Sequence, residues 1–132
     1  MKRVFVDTSG WFELLVPGSR FQVEYGALVR TPDCRFVTSS HVLHELVALV
    51  LHRANHTTAA RAGSFLRCSP EVMIEFPDAA EEARTWRLFL ERADKTYSLT
   101  DCSSFVIMRR LGITEAITTD RHFLQEGFIV LP

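Results

Sequence analysis

Four acidic residues in this 132-residue chain stand where carboxylates can act together: Asp7, Glu45, Asp101 and Asp120. Asp7 directly follows the apolar run Val4-Phe5-Val6, and Asp120 follows the short run Glu115–Thr118. Glu45 lies about one helical turn into the stretch His41–Arg53, and helical side chains lean back towards the N-terminus. Asp101 opens the stretch that ends at Leu111, where the positive end of a helix dipole favours an anion. Carboxylates crowded together raise one another's pKa, so the group is unfavourable unless something positive joins it. A hard divalent cation is the natural counter-charge. Magnesium fits best, because it keeps several waters and takes a few carboxylates beside a substrate phosphate. Such an ion acidifies water at neutral pH and neutralises charge on phosphorus, which makes phosphodiester hydrolysis the chemistry these parts permit.

Each acid also has a purely structural reading. Asp7 can cap a helix before Ser9-Gly10-Trp11, Asp101 can decorate a first turn, and Asp120 can serve a turn before Arg121-His122. Glu45 resists this reading, because it stands inside Val42-Leu43-His44-Glu45-Leu46-Val47-Ala48-Leu49, where a lone carboxylate on a buried face is costly. No structural need places four acids at strand exits on one rim.

The elements that must position them follow a βα alternation. Arg3–Val6 reads as a strand buried on both faces. A short helix over Trp11–Leu15 stops at Pro17-Gly18, and Ser19 caps a second helix to about Val29, ended by Thr31-Pro32-Asp33. Arg35–Val37 is the second strand and His41–Arg53 an apolar helix. Thr57 caps a helix to about Arg67, and Val72–Phe76 is the third strand. Asp78 with Glu81 resembles a capping box for a helix through Ala93, and Asp101–Leu111 is a helix closed by Gly112. Glu115–Thr118 and Phe128–Leu131 complete five strands. The expected fold is a three-layer α/β/α sandwich around a central five-stranded parallel sheet, one domain over residues 1–132. In such sheets ligands bind outside the carboxyl ends of the strands, where all four acids fall.

Composition excludes several classes. The chain is 47% hydrophobic and 23% charged, as expected of a folded globular domain. Its longest strictly apolar run, Leu46–Leu51, is far short of the roughly 20 residues that span a bilayer. Asp7 interrupts the apolar start before a secretory core of about 7–15 residues can form, so a cytoplasmic location is expected. Cys34, Cys68 and Cys102 are odd in number and widely spaced, which points to reduced, mostly buried thiols. The net charge of −1 does not advertise a polyanion partner. Lys2 and Lys95 are the only lysines, and the arginine-rich remainder suits phosphate recognition or reflects a GC-rich genome.

Four segments together resemble a PIN domain, and more closely the stand-alone VapC-type toxin ribonucleases. Val4-Phe5-Val6-Asp7-Thr8-Ser9 resembles the opening strand and Asp-Thr-Ser, and Ser39-Ser40-His41-Val42-Leu43-His44-Glu45 the second motif. Leu99-Thr100-Asp101-Cys102-Ser103-Ser104-Phe105 resembles the third, and Ile117-Thr118-Thr119-Asp120-Arg121-His122-Phe123 the fourth. The resemblance implies that Asp7, Glu45, Asp101 and Asp120 form the catalytic, metal-holding site, with Thr8, Ser9 and Thr118 as hydroxyl support. It implies a magnesium- or manganese-dependent endoribonuclease that leaves a 5′-phosphate. Homodimerisation and silencing by an antitoxin that covers the acidic cleft are further implications.

Other constellations fit less well. His41-Val42-Leu43-His44-Glu45 lacks the histidine at position 48 that a zinc protease needs, and His52 and His56 clamp zinc only if one helix carries both. Cys102 beside Asp101 resembles a nucleophile only superficially, and His122 is either a surface side chain or a phosphate contact. Trp11, Trp86 and the ten phenylalanines read as core, or as a platform for bases. An aspartyl phosphatase needs Asp-x-Asp where Ser9 stands, and a receiver domain needs a lysine beyond Lys95. A PIN fold used only as a protein-binding scaffold, or another acidic-site phosphohydrolase, are the remaining alternatives.

Overall fold

A computed structural model of the chain describes residues 2–16, 18 and 33–131. Strand β1 (Lys2–Val6) leads through Asp7 into α1 (Thr8–Leu15), then β2 (Cys34–Ser39), α2 (Ser40–Arg53) and α3 (His56–Cys68). Next come β3 (Val72–Glu75), α4 (Ala79–Glu91), α5 (Leu99–Leu111), β4 (Glu115–Ile117), α6 (Arg121–Gln125) and β5 (Ile129–Leu131). The helix expected from Ser19 to Val29 lies outside the described residues.

All strand pairs are parallel, in the order β3-β2-β1-β4-β5. The chain therefore steps outward from β1 to β3, then returns to the other side of β1 and lays down β4 and β5. That reversal makes the junction of β1 and β4 a topological switch point, the usual place for a ligand crevice in such a sheet. Val6 pairs with Ile117 there, so Asp7 and Thr118 emerge side by side. The helices pack in two groups, α1–α2–α3 and α4–α5–α6, and α2 also touches α5 across the rim.

Burial explains the register. Val4, Phe5 and Val6 are fully enclosed, and Phe105 sits edge-on to Phe123 at 4.9 Å, with Phe128 stacked on Phe105 at 5.6 Å. This aromatic cluster anchors α5 and α6 behind the switch point. The five-stranded parallel sandwich is as expected; several local expectations are not. Asn55, not Thr57, caps α3 through a 2.8 Å bond from Thr58 N–H, so His52 and His56 belong to different helices. Asp78 does cap α4 from Glu81 N–H, but the Glu81 carboxylate turns to Arg110 instead of closing the box. Trp86 is exposed and stacked on Phe89, and Cys68 is exposed, so neither belongs to the core. The short helix α6 has no counterpart in the sequence reading.

Candidate active site

The acids meet in a cleft of about 340 Å³ at the switch point, lined by Asp7, Glu45, Asp101 and Asp120 with Thr8, Ser9, Ser98, Thr96 and His122. Six of the seven residues singled out from the sequence line this cleft; the seventh, Thr118, is buried and reaches it only through its bond to Asp7.

Asp7 forms the floor. It occupies the N-cap position of α1, yet its side chain caps no backbone N–H. Instead Oδ2 accepts from the Thr118 hydroxyl at 3.2 Å, while Oδ1 is buried without a hydrogen-bonding partner among the described residues. With Asp7 ionised, the hydroxyls allow one arrangement of protons. Thr119 N–H donates to Ser9 Oγ (2.9 Å) and Asp120 N–H donates to Thr118 Oγ1 (2.9 Å). Thr118 spends its single proton on Asp7, so Ser9 must donate to Thr118 across 3.1 Å. Ser9 and Thr118 thus orient Asp7, Ser9 from the cleft wall and Thr118 from its buried position. Gly10 makes this possible: a Cβ there would stand 2.3 Å from the Ile117 carbonyl oxygen, so only glycine lets α1 lie this close to β4.

Burial raises the Asp7 carboxyl to about 7, and the charges of Asp101 and Glu45 push the same way against a favourable pull from the Thr8 N–H. Asp101 is buried at the third position of α5. It completes a reciprocal capping box, its Oδ2 accepting from Ser98 N–H while Ser98 Oγ accepts from Asp101 N–H, both at 3.0 Å. Burial lifts its carboxyl above the ordinary range, the Ser98 N–H opposes this, and Asp120 adds to it. Asp120 caps α6, its Oδ1 accepting from His122 N–H at 2.9 Å. The structural roles read for Asp101 and Asp120 are therefore real, and both residues also face the cleft.

Glu45 projects from the exposed side of α2, since the buried stripe is Val42, Leu43, Leu46 and Val50. The cost of burying a lone carboxylate is thus not what marks this residue. It reaches the cleft mouth, where Oε1 accepts from the Thr8 hydroxyl at 2.5 Å.

One neighbour is missing from the sequence reading of ligands. His122 Nδ1 lies 3.0 Å from Asp101 Oδ2 and 3.1 Å from Asp120 Oδ1. Asp101, Asp120 and His122 each offer a donor atom, and these lie within 4.8 Å of one another. The only signal in the sequence was spacing: two residues past a helix-capping aspartate, a side chain can fold back beside it. Cys102, by contrast, is buried with its thiol pushed up to about 11 by desolvation first, far from a ready nucleophile. The donor set suits a divalent cation, and the unpartnered, buried oxygen of Asp7 is the strongest sign, because a buried carboxylate oxygen without a donor needs a positive neighbour.

Residues 4–128 match the PIN domain family. The chain is 33% identical over 129 residues to the 23S rRNA-specific endonuclease VapC20 of Mycobacterium tuberculosis, covering 96% of this chain and 95% of that protein. It superposes on the crystal structure of VapC20, described as a Sarcin-Ricin loop cleaving toxin, with a TM-score of 0.88 and 32% identity over 96% of each chain. VapBC-1 of nontypeable Haemophilus influenzae (TM-score 0.66, 16% identity, 97% and 96% covered) and FitAcB of Neisseria gonorrhoeae (0.67, 19%, 98% and 96%) share the fold. A parallel sheet in this order, with acids gathered where β1 meets β4, and a match over nearly its whole length make this chain a member of the PIN-domain family of nucleases, akin to the VapC endonucleases.

Proposed function

We propose that this chain, as one nuclease domain over residues 1–132, is a magnesium-dependent endoribonuclease and the toxin of a toxin–antitoxin pair. Its substrate class is an exposed loop of large-subunit ribosomal RNA, by analogy with the VapC20 relative. The observation that carries this reading is the buried, unpartnered Oδ1 of Asp7 in a cleft shared with three further acids.

Asp7 and Asp101 would hold the divalent ion, with Asp120 completing the pocket and Glu45 at its mouth. When bound, the ion supplies charge neutralisation at phosphorus and acidifies water at neutral pH. The chain's own residues do the rest. The Ser9–Thr118 hydroxyl chain fixes the Asp7 carboxylate through Oδ2 and leaves Oδ1 without a donor. Glu45, exposed and tethered by Thr8, would accept a proton from the attacking water. Manganese can replace magnesium in such a set, and a cognate antitoxin would silence the enzyme by covering the cleft, with a homodimer as the working unit. Among the described residues no helix is long and apolar enough to cross a membrane.

Purified protein incubated with ribosomes, with and without magnesium, tests the reading. A discrete metal-dependent cut in the large ribosomal RNA is expected, reduced about 100-fold or more in Asp101→Asn. Cutting that survives EDTA, or equal activity in the variant, would overturn it. Growth arrest on expression, relieved by the same substitution, would identify a toxin.

A further inference from the structure

Of the five histidines in the chain, His122 alone lines the acidic cleft. Its Nδ1 stands 3.0 Å and 3.1 Å from one oxygen each of Asp101 and Asp120. Donors bound at about 2.1 Å to one octahedral ion are about 3.0 Å apart when adjacent and about 4.2 Å when opposite. Nδ1 thus already stands at the adjacent-donor spacing from each carboxylate oxygen, and the three donor atoms lie within 4.8 Å of one another. Independently, Asp7, whose buried Oδ1 has no hydrogen-bonding partner among the described residues, lines the same cleft.

We propose that His122 is itself a metal ligand through Nδ1, and that this nitrogen strengthens the binding of borderline transition cations such as Mn²⁺ and Zn²⁺ more than that of magnesium. The inference rests on the acidic metal site proposed above and adds a ligand to it. Imidazole nitrogen binds the later divalent metals well and magnesium poorly, whereas carboxylates serve both. The surroundings are built for such a ligand. His122 Nε2 lies 3.1 Å from Thr96 Oγ1, and the Tyr97 ring meets the imidazole edge-on at 5.2 Å. Without an ion, Nδ1 pairs with the two carboxylates and Nε2 with the Thr96 hydroxyl. With one, the neutral imidazole carries its proton on Nε2 and donates it to Thr96, the outer bond that orients a metal-bound histidine. A hydroxyl can serve both states because it donates and accepts. The Asp101 and Asp120 oxygens nearest His122 keep their bonds from the backbone N–H groups of Ser98 and His122, which aim them at the same point.

Metal-free full-length protein titrated with Mn²⁺ and followed by pulsed electron paramagnetic resonance decides the matter without reference to activity. Wild type is expected to show coupling from a directly bound nitrogen that changes when histidine alone is labelled with ¹⁵N. The coupling should vanish in His122→Asn, whose Mn²⁺ affinity should fall about 10- to 100-fold while its Mg²⁺ affinity falls less. Bound Mn²⁺ with no nitrogen coupling in wild type would overturn the histidine's role and leave the acidic site standing. Coupling that persists in His122→Asn would overturn it as well. Failure of wild type to bind Mn²⁺ at all would overturn both. The wild-type spectrum is decisive even if the variant folds poorly.

Discussion

At the scale of single residues, Asp7 is where stability and activity oppose each other. Its carboxyl titrates near 7 in the fold against an ordinary 3.8, so between those values the native state holds a proton that the unfolded chain has lost. Stability of the metal-free protein should therefore decline as pH rises through that window and level off above it. Asp7→Asn removes the buried charge. In EDTA at pH 8 it should be more stable than wild type by about 1–3 kcal/mol, the usual penalty of an unsatisfied buried group, while RNA cleavage is lost. Urea denaturation at pH 5 and pH 8 measures this. A variant less stable than wild type at pH 8 would show that Asp7 is a structural group first.

At the scale of elements, the site depends on how closely α1 approaches β4. Gly10→Ala would drive a methyl into the Ile117 carbonyl, a backbone atom that cannot swing aside. The helix must lift, stretching the Ser9–Thr118–Asp7 chain. Thermal denaturation should show a loss of about 1–3 kcal/mol, as overpacking usually costs, accompanied by a fall in cleavage. The start of α5 carries a milder dependence. Ser98→Ala removes the reciprocal cap that holds Asp101 and should cost about 1 kcal/mol, read in the same way.

At the scale of the whole molecule, Glu126 ties the rear layer together. Its carboxylate is 4% exposed and accepts from Arg92, just past α4, and from Arg109 on α5. The Arg92 hydrogen bonds, with Arg109 assisting, hold it down to about 2 from an ordinary 4.5. A depressed carboxylate stabilises the fold above its unfolded pKa, and that contribution is lost as pH falls from about 4.5 towards 2. Glu126→Gln should cost about 1–2 kcal/mol at pH 7, because Arg109 is half in water, and should flatten acid unfolding between those limits. Circular dichroism during acid titration checks both.

Local chemistry made much of this protein readable from its residues. Apolar runs ended by Asp7 and Asp120 mark strand exits, Gly112 marks a helix end with its positive φ, and βα alternation implies a parallel sheet whose carboxyl rim collects the acids. Distances between segments are a different matter. That Thr118 donates a hydrogen bond to Asp7, that Gly10 must be bare, that Glu45 is exposed, and that His122 folds back between two aspartates all follow from the strand order β3-β2-β1-β4-β5 and the packing behind it. Periodicity and capping are properties of neighbours along the chain, whereas a site is a property of neighbours in space, and only the completed sheet brings those together.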